Sequence, residues 1–140
     1  MNGLQIERFV RRFCRDKFQG VFSCDTLPPN PELLVCNTDP QDKPGTHWIV
    51  ICVDKNGRGE YFDSFGSEPP AVFKDYMNKH CRQWTFNSRK LQSVLSRFCG
   101  HYCCLYCVYR YNGFSMRKIV SMFTSDTTFN DVLVHKFVCR

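Results

Sequence analysis

From Cys99 to Tyr111 the chain reads CGHYCCLYCVYRY, a segment that is apolar on every face of a helix and not along one stripe. A helix of that kind must be covered all round, so the fold has to supply layers on more than one side of it. Asn112-Gly113 then give a C-cap signal. The segment also holds four of the ten cysteines (Cys99, Cys103, Cys104 and Cys107) and one of the four histidines, His101. A metal site, a redox device, or a buried helix that begins with a nucleophilic thiolate would each use such a cluster. Cys104 and Cys107 have C-x-x-C spacing, which with His101 or Cys99 suits zinc. Leu105 and Tyr106 between them, however, belong to the apolar helix and not to a polar turn, and no second such pair exists. A thioredoxin-type pair wants its first cysteine at a helix N-terminus, whereas Cys104 is a turn inside. The favoured reading makes Cys99 the nucleophile, with Cys103, Cys104 and Cys107 as core residues.

The other elements follow from spacing. Ile6, Phe9, Val10 and Phe13 recur at helical intervals, with Arg8, Arg11, Arg12, Arg15 and Lys17 outward. Phe18 to Pro31 reads as irregular, and Asp39 to Gly45 as a surface loop. Leu33 to Cys36 is a short strand. His47 to Val53, β-branched and apolar on both faces, is the central one. Asn56-Gly57 turns it back into a strand over Glu60–Phe65. A helix over Ala71–His80 and a strand over Gln83–Phe86 precede the buried helix. Met116, Ile119, Val120 and Phe123 mark another helix. Thr128 with Asp131 forms a capping box for a last one carrying Val132, Leu133 and Phe137. The order implies an α+β fold in a single domain over residues 1–140.

A net charge of +6 with a basic N-terminal cluster is moderate, and a solvated helix face accounts for it better than a nucleic-acid site. No apolar run reaches membrane-spanning length, no secretory signal is legible, and many cysteines sit in apolar runs. The expectation is a reduced, intracellular protein without a membrane partner.

A cysteine nucleophile needs a base, a group to orient that base, and oxyanion donors. Cys99 at a helix N-terminus is favoured as thiolate, and Gly100 beside it removes bulk where a substrate backbone approaches. His47 opens the central strand. A tight turn at Asn56-Gly57 makes paired positions sum to about 113, setting His47 opposite Phe65 or Gly66 with Asp63 a diagonal neighbour. His101 lies on another side of its helix from Cys99 and reads as solvated or groove-lining.

His47-Trp48, then Tyr61-Phe62-Asp63-Ser64-Phe65-Gly66, then Gln92 seven residues before Cys99-Gly100, resembles the adenovirus endopeptidase (adenain) family, and more distantly the Ulp/SENP proteases of ubiquitin-like modifiers. Phe18-Gln19-Gly20-Val21-Phe22, Asn37-Thr38 and the paired Cys103-Cys104 also look adenain-like. The resemblance covers roughly Phe18 to Tyr109.

It implies a papain-like or Ulp-like cysteine protease fold, with a central mixed sheet packed on helices and the nucleophile at the N-terminus of the buried helix. The implied activity is that of an endopeptidase cutting after glycine in viral or mobile-element precursor proteins. Cys99 would be nucleophile, His47 base and then acid, Asp63 its orienting acid, and Gln92 an oxyanion donor, with Trp48 walling the site. No metal or required cofactor is implied. An activating peptide, disulfide-linked through Cys81, and nonspecific DNA contact are implied by adenain, as is a place in the host nucleus or virion. Adenain has glutamate at the position of Asp63, where the Ulp branch has aspartate, and this chain is shorter than adenain. A Ulp-type deconjugating enzyme and a non-enzymatic zinc- or nucleic-acid-binding module are the other readings.

Overall fold

The computed structural model describes residues 1–43 and 46–139. Its elements run α1 (Gly3–Cys14, followed by a 3-10 turn over Arg15–Lys17), β1 (Gly20–Ser23), β2 (Leu33–Asn37), β3 (Trp48–Val53), β4 (Arg58–Phe62), α2 (Ala71–His80), β5 (Gln83–Phe86), α3 (Cys99–Tyr111), α4 (Met116–Ser121) and α5 (Thr127–Val138). The strands form one five-stranded sheet in chain order. β1 is parallel to β2, β3 antiparallel to both its neighbours, and β5 parallel to β4. The sheet is mixed and the class is α+β, with β3 in the middle.

Both faces of this sheet are covered, which is why β2 and β3 are apolar without alternation. Val35, Val50 and Phe62 face the helical layer of α1, α3 and their neighbours. Leu34, Cys36, Ile49, Ile51 and Tyr61 face Phe73 and Met77 of α2. α3 packs on β3, α1 and α5 at once, and every residue from Cys99 to Cys107 is buried. The apolar sequence of that helix is thus met on all sides. Among the described residues no helix is long and apolar enough to cross a membrane.

Several expectations change in detail. The segment read as irregular contains β1, a short edge strand. Asp39–Lys43 is irregular, while Pro44 and Gly45, the rest of the expected loop, lie outside the described residues. The buried stripe of α1 is Ile6, Val10 and Cys14, whereas Phe13 is largely exposed because its position falls beside that stripe. The Asn56-Gly57 turn is one residue longer than a two-residue hairpin. Asp54 N donates to Arg58 O, Gly57 N donates to Asp54 O, and Gly57 takes a positive φ of 78°. Val50 therefore pairs with Phe62, one step from the expected register. β4 ends at Phe62 because the chain turns at Asp63, whose carbonyl accepts from Gly66 N at 2.8 Å. α5 is capped by Asp126, which accepts from Phe129 N, and not by Thr128. Its inward face is Asn130, Asp131 and Val134, leaving Val132 and Leu133 exposed.

Gly59 on β4 lies directly under α2: a Cβ there would sit 2.4 Å from Cys81 Sγ and 2.8 Å from Met77 Cε. Gly59→Ala should cost about 1–3 kcal/mol by overpacking, read as a lower urea midpoint. Cys81→Ala in the same chain should return part of that loss. Equal stability of Gly59→Ala and the parent would contradict the packing described.

Candidate active site

α3 is fixed along its length before its first residue does anything. Tyr102 OH donates to Asp131 Oδ1 at 2.7 Å, and Tyr106 OH and Arg110 Nε both donate to Glu60 Oε1, at 2.8 and 2.7 Å. Cys14 Sγ donates to Cys107 O. Phe98 is the N-cap residue, and no side chain caps the helix there. The first N–H groups of α3 and the positive end of its dipole are therefore not spent on a capping side chain, an arrangement that favours an anion at Cys99.

His47 immediately precedes β3, and Asp63 immediately follows β4. The β3–β4 register extrapolates to Phe65 opposite His47, and the two rings do stack, with centroids 5.0 Å apart. His47 Nε2 meets Asp63 Oδ1 at 2.7 Å, leaving Nδ1 for the sulfur side. Asp63 Oδ1 also accepts from Phe65 N at 2.8 Å. The carboxylate is thus built into the turn that ends its strand. Gly66 closes that turn at φ +68°, with no room for a Cβ, which would lie 2.7 Å from the Arg89 backbone.

The electrostatics of His47 and Cys99 are mutual. Burial alone would lower the His47 pKa, but hydrogen bonding and charge from Asp63 and Cys99 raise it to about 9. Burial alone would raise the Cys99 thiol; the His47 ring, the Trp48 and Gly100 backbone and the His47 charge outweigh it and hold Cys99 below its ordinary value. Every other cysteine with a resolved shift moves upward, with Cys103 and Cys107 pushed well up by complete burial. Among these thiols, Cys99 is the one whose surroundings favour the anion.

Gln92 is buried, and its side chain is fully engaged. Oε1 accepts from Ser64 Oγ at 2.6 Å, and Nε2 donates to Ser96 O and Oγ at 3.1 and 3.0 Å. Its backbone N–H and that of Leu91 both reach Ser64 O, so the acid turn and the Gln92 segment form one unit. Trp48 donates from Nε1 to Met1 O at 3.2 Å, which anchors its indole to the start of the chain. Gly100 has a different neighbour from the one expected. A Cβ there would meet Ile6 Cδ1 and Met1 Cβ, both at 3.1 Å, so the space it frees is filled by α1 and not left for a substrate backbone. Cys81 ends α2 on the face of the sheet opposite α3, its thiol raised by burial first and by Asp54 second. His101 is buried between Phe98 and His135 and not solvated; burial, the Met1 amino group and His135 together lower it to about 4.

Two positioning residues were not singled out from the sequence. Asn87, just after β5, accepts from Asp63 N at 2.9 Å and donates to Asp63 O at 2.6 Å, clamping the acid from behind. Ser64 joins Asp63 to Gln92. Neither has a local signal, since both act through contacts distant in sequence; only the position of Ser64 inside the quoted motif pointed to it. Because Asn87 is buried and makes both bonds, Asn87→Ala should lower stability by about 1–3 kcal/mol in urea and slow alkylation of Cys99 at neutral pH. Unchanged stability and alkylation would contradict the clamp.

No family model and no curated protein sequence matches this chain. Solved structures do. The ASFV pS273R protease superposes with a TM-score of 0.67 at 21% identity, over 96% of this chain and 66% of that one. ChlaDub1 from Chlamydia trachomatis gives 0.57 at 17%, over 76% and 58%. The SUMO protease Ulp1, with its catalytic cysteine oxidised to a sulfinic acid, gives 0.51 at 15%, over 100% and 79%. The chain thus spans just under two thirds of the pS273R protease and less of ChlaDub1. At these identities the likeness is one of architecture: the chain has the fold of the Ulp-like cysteine proteases.

Proposed function

We propose that the protein is a cysteine endopeptidase whose nucleophile is Cys99. The observation that carries this reading is the coupling of three side chains: Asp63 on one nitrogen of His47, and a Cys99 thiol lowered by the same ring. In the proposed reaction the Cys99 thiolate adds to the scissile carbonyl, and the oxyanion is held by the Cys99 N–H and the Gln92 amide. His47 gives its proton to the leaving amine as the C–N bond breaks, leaving a thioester. It then takes a proton from water, whose oxygen displaces the thiolate and releases the acid. To serve the oxyanion, Gln92 Nε2 has to give up a bond to Ser96, most readily the one to its hydroxyl. Trp48, next to the base, borders the site.

By resemblance, the substrate is a protein with glycine before the cleaved bond, and the setting is maturation of viral or mobile-element precursors. The ASFV pS273R protease among the similar structures supports that setting. The second reading, deconjugation of a ubiquitin-like protein, is favoured by Asp63 in place of glutamate and by the likeness to the SUMO protease Ulp1. An activating peptide joined to Cys81 would have to lift that sulfur from Gly59 and act through the sheet. The exposed arginines of α1 are where nonspecific DNA contact would fall, although Arg11 already donates to Phe18 O and Gln19 O.

Incubation with glycine-containing peptides and with ubiquitin-like precursors separates the two readings. Cys99→Ala should abolish cleavage, and Gln92→Ala should reduce kcat by about 10²–10³. If Cys99→Ala still cleaves, the assignment is wrong. The pH profile has a definite sign. The thiolate is lost as pH falls through the lowered Cys99 ionisation, and the imidazolium is lost as pH rises through about 9. kcat/KM should therefore be bell-shaped with its alkaline limb near 9. A single rising limb at the ordinary thiol value would contradict the ion pair.

A further inference from the structure

Three buried polar side-chain atoms lack a hydrogen-bond partner among the described residues: Asn37 Nδ2, Tyr61 OH and His101 Nδ1. Tyr61 packs against the Phe73 ring, and His101 lies between Phe98 and His135. Asn37 is different. It is 3% exposed, yet it lines an open recess with Trp48, Ser23, Lys43, Met1 and Gly3. Its other amide atom is committed, since Oδ1 accepts from Asp39 N at 2.8 Å. A buried donor without an acceptor is costly, and one on a residue that borders an open recess can be met by a ligand that supplies the missing atom.

Its place in the sheet says which ligand. Asn37 pairs with Ser23 on one side and with Trp48 on the other, so the three side chains form a row across the sheet, on the face that carries α1 and α3. Trp48 directly follows the base His47 in the chain, and its backbone is among the groups that hold the Cys99 thiol down. Asn37 is thus one strand spacing, about 4.8 Å, from the edge of the reacting centre, while an extended peptide advances about 3.3 Å per residue. We infer that Asn37 forms a substrate subsite: its Nδ2 donates to a main-chain carbonyl of the bound peptide, one or two residues from the cleaved bond, in the recess beside Trp48. This rests on the protease reading above and adds a backbone-directed, sequence-tolerant contact to it. A main-chain acceptor suits a glycine-containing substrate, which offers no side chain to recognise near the bond.

Asn37→Asp keeps the oxygen that holds Asp39 N and removes the donor, whereas Asn37→Ala removes both. Cleavage of an internally quenched peptide with Gly-Gly at its centre is measured across pH, beside the rate at which iodoacetamide, too small to fill the recess, alkylates Cys99. Both variants should lose about tenfold or more in kcat/KM, mainly through KM, with the alkylation rate within about twofold of the parent. Wild-type kinetics in Asn37→Asp alone would show that the Asp39 bond is the whole role and would overturn the subsite. A parallel fall in alkylation would overturn it too, by showing that Asn37 shapes the nucleophile. If the parent chain is alkylated at Cys99 but leaves the peptide intact, the protease reading itself fails, and the subsite with it.

Discussion

A thiolate and an imidazolium can share a mostly buried site only if each is the other's best neighbour and further groups hold both in place. Burial opposes the charged form of His47 and of Cys99 alike. What reverses that sign is the interaction between them, the Asp63 carboxylate 2.7 Å from His47, and the backbone of Trp48 on β3 and of Gly100 at the start of α3. The rest of the structure can be understood as the means of keeping those groups together. Separating any one would leave a charge in low dielectric without compensation, which costs several kcal/mol and is commonly avoided by neutralisation.

The means are unequal in kind. α3 is positioned by bulk burial between the sheet, α1 and α5, with three polar anchors at Asp131, Glu60 and Cys14. His47 is positioned by the start of the central strand, which is paired on both sides. Asp63 depends instead on a turn held by one local contact, Phe65 N on the carboxylate, and by two from a distant segment, Asn87 on the backbone and Gly66 pressed against Arg89. Ser64 extends that turn to Gln92, so the acid and the amide proposed for the oxyanion move as one body. The candidate residues thus sit on strand ends and a helix start, joined by the segment between Gln92 and Cys99.

Much of this was legible in the sequence because it rests on periodicity. The boundaries of α2, β5 and α3 follow from apolar spacing flanked by Pro69-Pro70 and Asn112-Gly113, and the hairpin turn at Gly57 set His47 near Phe65 within one step. What was not legible depends on tertiary neighbours. Gly100 looked like room for substrate, and only the packing of Ile6 and Met1 shows what occupies that room. His101 has the spacing of a solvated residue, but α5 closes over it. Asn87 carries no pattern at all, and Asn37 stands out only within the adenain-like Asn37-Thr38 pair, with no role attached; their roles come from partners, or from the want of one.

The central claim is that Cys99 and His47 form an ion pair at neutral pH. The most direct test is the titration of the His47 ring by NMR, with the Cys99 thiolate followed by its ultraviolet absorbance in the same samples. The account predicts that His47 remains protonated through neutral pH, with a midpoint near 9, while Cys99 already absorbs as thiolate. A His47 that titrates near its ordinary 6.5 beside a neutral thiol would contradict it.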